Sequence, residues 1–169
     1  MTSPLSRLGT IMRLVEILQD AGKIKLQKLL YFLQEGWGVP LGYDFVMYHY
    51  GPYCGQVDAD LSLLSAAGVV KISVDPDGYG YHVVQGELRP ASLADAALGS
   101  EEIPRVVEAF HGYNAADLEL AATVHFVRSL MPEGQRSAVV EQARALKPKF
   151  PVSAVEAQYD RLVSLNLLK

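Results

Sequence analysis

The chain has 169 residues, half of them hydrophobic and a fifth charged, with a formal net charge of −4 and a single cysteine. That length and balance are enough for a buried core and exclude a disordered chain, while the lone Cys54 excludes an intramolecular disulfide or a thiolate zinc cluster. Acidic residues outnumber basic ones over 23–85 and again over 86–169, so no part offers the basic platform that binding to a phosphate backbone requires.

In chain order, Ser3-Pro4 reads as an N-cap followed by proline at the first helical position. Leu8, Ile11, Met12, Val15 and Leu18 then recur at helical spacing, and Gly22 is expected to end the run. Charges interrupt this segment, so it is neither a secretory signal nor a membrane span, and a cytoplasmic setting is expected. A second helix is predicted over 23–35. Leu26, Leu29, Leu30 and Leu33 stripe it, and Ile24, Tyr31 and Phe32 widen the stripe nearly all round, as in a central helix.

Gly36, Gly38, Pro40 and Gly42 open a loop, and residues 43–50 suit a short strand stopped by Gly51-Pro52. A third helix is expected over 53–67. Two alternating runs, 69–74 and 81–84, flank Asp75-Pro76-Asp77-Gly78-Tyr79-Gly80 and read as a β-hairpin. Residues 86–99 look like a connector with at most one helical turn. Four helices follow: from Ser100 to Gly112, from the Asn114 cap to Leu130, from Gly134 to Leu146, and a last one opened by a Ser153–Glu156 capping box. The expected fold is α+β and mostly α. A winged-helix-like core over 1–85 is joined by the 86–99 connector to a helical annex over 100–169, forming one compact unit.

Two segments carry a family likeness. Lys25-Leu26-Gln27-Lys28-Leu29-Leu30-Tyr31 followed by Tyr50-Gly51-Pro52 resembles the signature of the Panacea domain, also called the SocA-like antitoxin domain. His49-Tyr50-Gly51-Pro52-Tyr53 and the later Leu146-Lys147-Pro148-Lys149-Phe150 are nearer its YwgA-like branch. The resemblance implies a protein-binding module, often an antitoxin that masks a toxin or delivers it to a protease.

Several residues could carry function. Lys25 and Lys28 lie one turn apart on the apolar helix. They are either partner contacts or the solvated edge of that helix, with Glu35 as a possible ion-pair partner. Tyr48, His49, Tyr50, Gly51, Pro52 and Tyr53 form the most unusual stretch, either a binding surface or a packed corner. Asp58 and Asp60 lie on the helix that a winged-helix protein would insert into DNA, which carries no lysine or arginine. They read as a solvated acidic face or a dock for a basic partner.

Cys54 and His49 can be imagined as a nucleophilic pair, but no orienting residue accompanies them. His49, His82, His111 and His125 lack metal spacing, and Trp37 is read as loop packing. The leading expectation is therefore a non-catalytic protein-binding module without cofactor or metal. Its partner would be a protein such as a toxin or protease, not nucleic acid or membrane, and self-association is left open. The alternative is a DNA-binding transcriptional regulator that draws positive charge from Arg105, Arg128, Arg136, Arg144 and Lys147. A small hydrolase using Cys54 and His49 is the third class.

Overall fold

The computed structural model describes residues 2–168. The first helix, α1 (Pro4–Leu18), starts where Ser3 Oγ accepts from the Leu5 amide and proline occupies the first turn. It stops short of Gly22 because Gln19 adopts a left-handed conformation (φ 65°). The chain then extends into β1 (Asp20–Gly22), a strand the hydrophobic periodicity does not announce.

The next helix, α2 (Lys23–Tyr31), gives way to a π-helical turn at Phe32–Gly36, so the predicted single helix over 23–35 changes winding in its last turn. The expected strand over 43–50 is shorter. Only β2 (Val46–Tyr48) is extended, and it folds back on β3 (Gly51–Tyr53) as a second small sheet. Helix α3 (Gly55–Ala66) leads into β4 (Val70–Val74) and β5 (Tyr81–Gln85), the predicted hairpin.

Strand β1 pairs antiparallel with β5, with Ala21 opposite Val83, giving a three-stranded sheet in the order β1-β5-β4. The protein is thus α+β and mostly helical, and its first half places three helices and this three-stranded antiparallel sheet in winged-helix order. The strand that completes the sheet comes between the first two helices. Segment 43–50, expected as a short strand, contributes β2 to a separate two-stranded corner.

The connector contains a real helix, α4 (Ala91–Ala96). It packs so closely on α1 that a Cβ on Gly9 would stand 2.1 Å from the Leu93 carbonyl oxygen. Then come α5 (Glu102–Ala109), α6 (Ala115–Leu130), α7 (Arg136–Leu146) and α8 (Val152–Ser164). Asn114 caps α6 as expected, in a reciprocal box: its Oδ1 accepts from the Asp117 amide and Asp117 Oδ2 accepts from the Asn114 amide. The Ser153–Glu156 box does not form. Pro151 takes the extended cap position, which places Ser153 already inside α8.

One hydrophobic cluster runs through both halves of the chain. Leu26, Leu29, Leu30 and Leu33 of α2 are buried, as their stripe requires. Phe32 stacks on Phe110 with ring centroids 4.4 Å apart, and Trp37 meets Phe110 edge-on from the loop. Tyr31 Oη lies 2.7 Å from His125 Nδ1. No helix among the described residues is long and apolar enough to cross a membrane.

Candidate functional site: a tyrosine- and lysine-lined cleft

The polar residues of α2 determine where the site forms. Gln27 lies on α2 and Gln34 on the π-helical turn that continues it, and both reach the segment that follows. Each clamps one backbone residue of the following segment with both ends of its amide. Gln27 Nε2 donates to the Cys54 carbonyl (2.9 Å) while the Cys54 amide donates to Gln27 Oε1 (3.1 Å). Gln34 does the same to Tyr43, at 2.8 Å in both directions.

Lys28 was expected as a partner contact, at a solvated helix edge or paired with Glu35. Instead it is 2% exposed and donates to the Pro52 carbonyl at 2.6 Å. Burial lowers its pKa to about 8, against the opposing pull of Glu119. The segment from Tyr43 to Cys54 is therefore held by backbone bonds to side chains of α2 and its π-helical turn, not by a large sheet.

The corner packs tightly against α6 as well. Gly51 has φ +84°, and a Cβ there would stand 3.1 Å from both the Glu119 carbonyl oxygen and Thr123 Oγ1, so glycine is required for conformation and for space. Pro52 and Cys54 are buried. The buried Cys54 has its backbone clamped by Gln27, while His49 is exposed on the turn.

With the corner so placed, a cleft of about 620 Å³ opens between the start of α2, the 48–53 corner and the β4–β5 turn. Of the residues singled out from sequence, Lys25, Lys28, Tyr48, Tyr50, Tyr53 and Asp58 line it together. Tyr48 and Tyr50 are 56% and 55% exposed, so their rings are open to a ligand. Tyr53 Oη donates to Asp58 Oδ2 at 2.9 Å, a bond that raises the phenol's pKa. The same carboxylate receives a longer bond from Gln27, which orients it on the cleft wall.

Asp60 is not part of the cleft. It is 4% exposed and accepts from Arg7 Nε (3.0 Å), Tyr43 Oη (2.8 Å) and Gln56 Nε2 (2.8 Å). Neither a solvated face nor a docking surface describes it; it is an internal tie between α1, the loop and α3. His49 lies outside the cleft too, lining a shallow depression with Met47, Tyr48, Leu146 and Lys147.

The cleft also recruits residues not singled out from sequence: Lys23, Asp75, Tyr79 and Tyr81. Their signal was present at the hairpin turn, where Tyr79 occupies a place that a turn fills with small or polar residues and Tyr81 opens β5 beside it. Lys23 Nζ stands 4.8 Å from the centre of the Tyr81 ring, and Tyr79 is 95% exposed. His82 bridges Asp20 and Asp75 just behind this wall, and those two carboxylates raise its pKa. Among the described residues, no group of three or more histidines, cysteines or carboxylates is placed to hold a metal ion.

Chemically, the cleft combines flat aromatic faces, ammonium groups and one oriented carboxylate. The rings suit stacking on a planar base, and the lysines suit an anion. The carboxylate suits proton transfer from a water.

No family model matches the chain. Among curated proteins, the chain is similar to a DNA ADP-ribosyl glycohydrolase of Thermus aquaticus, with 29% identity over 168 aligned residues, 89% of this chain and 43% of that protein. The chain thus spans less than half the length of this relative. The similarity overturns the expectation of a non-catalytic protein-binding module of antitoxin type, and with it the alternative of a transcriptional regulator, because the relative is named for a hydrolytic enzyme. The expectation rested on finding no nucleophile or metal motif. Glycosidic hydrolysis needs neither of these in principle, since placed carboxylates and a water can suffice.

Proposed function

We propose that this chain serves the removal of ADP-ribosyl groups from DNA, and that its tyrosine- and lysine-lined cleft seats the ADP-ribosylated nucleotide. The observation that carries this reading is the convergence of Tyr48, Tyr50, Tyr53, Tyr79 and Tyr81 with Lys23, Lys25 and Asp58 on one 620 Å³ cleft. An ADP-ribosyl nucleotide offers two bases to stack, a diphosphate to neutralise and a glycosidic bond to break. The similarity to an enzyme named for this reaction supports the same reading.

In this scheme Lys23 and Lys25 face the diphosphate, and the tyrosines hold the bases. Asp58 takes the proton from a water whose oxygen joins the ribose anomeric carbon. The bond to DNA breaks, and the leaving group on DNA receives a proton. Contact with one modified nucleotide is compatible with a chain of net charge −4, which disfavours a long phosphate track. The cytoplasm, with its accessible DNA, is the setting this reading requires.

The test uses an ADP-ribosylated oligonucleotide, with released ADP-ribose followed by mass spectrometry and binding followed by anisotropy. Asp58→Asn is expected to lower release about 10²-fold while keeping binding. Lys23→Met combined with Lys25→Met is expected to weaken binding. An oligonucleotide that is neither bound nor cleaved by the wild-type chain would sink the reading. Binding without release would assign the bond-breaking step to the part of the longer relative that this chain does not span.

A further inference from the structure

We propose that Lys147, braced by Glu119, is the positioning residue through which the C-terminal helices hold the aromatic rim of the cleft; its ligand-binding consequence rests on the reading of that cleft as a nucleotide seat. Lys147 follows α7, almost a hundred residues beyond the corner in sequence. Its ammonium is buried, with the residue 6% exposed, and it reaches the carbonyl oxygens of Tyr48 (3.2 Å) and His49 (2.5 Å). It also pairs with Glu119 Oε1 of α6 at 3.1 Å.

Glu119 is itself 2% exposed, and its other oxygen receives Lys149 Nζ at 2.9 Å. The Lys149 ammonium stands 5.6 Å from the centre of the Tyr50 ring. From the opposite side, Lys28 of α2 holds the Pro52 carbonyl. The corner is therefore gripped at three carbonyls, those of Tyr48, His49 and Pro52, by two buried ammonium groups, one from each half of the chain.

Burying an ammonium is costly unless its charge and its donors are all used. Lys147 donates to two carbonyls and sets its charge against one carboxylate, which ties the end of α7, the N-terminal part of α6 and the 48–49 turn together. Tyr48 and Tyr50 radiate from that turn and are half-exposed. Tyr48 leans on Tyr53 with ring centroids 5.4 Å apart. The placement of these rings follows from the turn's backbone, so the group that holds the backbone determines the width of the cleft. Lys147 touches no ligand in this arrangement and acts through Tyr48 and Tyr50.

The experiment compares the full chain with Lys147→Met, Lys147→Arg and Glu119→Gln. Readouts are ADP-ribose affinity by calorimetry, amide hydrogen exchange of the peptide 45–54, and the melting temperature. Lys147→Met is expected to weaken ADP-ribose binding about tenfold, since small misplacements of a binding group are costly. Exchange should quicken in 45–54 while α1 keeps its protection. Lys147→Arg keeps the donors and is expected to restore both.

Should Lys147→Met fail to fold, Glu119→Gln keeps the shape and removes the brace, and it is expected to quicken exchange in the same peptide. Wild-type exchange over 45–54 in the folded variant overturns the proposal, as does acceleration spread evenly over the chain. If the wild-type chain does not bind ADP-ribose, the nucleotide reading fails, and the exchange pattern still decides whether Lys147 positions the corner.

Discussion

The Lys28 ammonium, in the middle of α2, lies 2.6 Å from the Pro52 carbonyl oxygen and is almost completely removed from water. Its pKa is lowered from 10.5 to about 8, first by burial. Between these values the unfolded chain keeps a proton that the folded chain has released, so stability rises with pH across that window and the increment is lost as pH falls through 8. Urea denaturation at pH 7.5 and 9.5 should therefore show wild type gaining about 2 kcal/mol relative to Lys28→Met. Equal pH dependence in the two proteins would mean that Lys28 is hydrated in solution.

His125 behaves in the complementary range. Burial lowers its pKa to about 4, partly offset by a hydrogen bond to the Leu167 backbone, and Nδ1 faces the Tyr31 hydroxyl. The folded state holds the neutral ring, so the unfolded chain binds more protons between pH 4 and 6.5. The stabilisation is complete above 6.5 and disappears as pH falls through about 4. Moving from pH 7 to pH 5 should cost wild type about 2 kcal/mol more than His125→Phe, although the variant starts lower at pH 7 because Tyr31 loses its partner.

Asp58 and Asp60 are two residues apart on α3 and should respond oppositely. Asp60→Ala leaves Arg7 and the Tyr43 hydroxyl without their buried partner and is expected to cost about 3–5 kcal/mol. Asp58→Asn, on the cleft wall, should change stability by less than about 1 kcal/mol. Chemical denaturation of the two variants checks this, and equal losses would contradict the division between an internal tie and a site residue.

Gly51 and Gly78 both have left-handed backbones, but only Gly51 faces a wall. Alanine at Gly51 meets the Glu119 carbonyl and Thr123 at 3.1 Å, whereas nothing lies within 4 Å of a Cβ on Gly78. Gly78→Ala should therefore cost only the conformational strain, about 1 kcal/mol. Gly51→Ala should cost about 2 kcal/mol or more, since the corner must also move. Melting curves of the two variants give the comparison, and closely matched losses would argue against tight packing of the corner on α6.

Local signals were readable where a local rule governs the outcome. The Ser3-Pro4 start of α1, the Asn114 cap of α6 and the β4–β5 turn all follow from the preferences of a few adjacent residues. The apolar surround of α2 announced a central helix because a helix with so little polar surface has to be covered on most sides. The mostly helical α+β class follows from these elements, and six of the ten residues singled out from sequence line the cleft.

Tertiary structure decided the rest, because the deciding partners are far apart in the chain. Strand β1 exists because β5, some sixty residues later, offers it a ladder. Asp58 and Asp60 look alike in sequence, but Arg7 and Tyr43 draw only Asp60 inside. Lys28 reads in sequence as a partner contact or a solvated edge and instead meets the Pro52 carbonyl; Lys147 reads as one surface cation among several until Glu119 and the 48–49 turn surround it. A side chain's charge and size can be read from its own letter, but whether that charge is hydrated or paired depends on what the fold brings within about 3 Å of it.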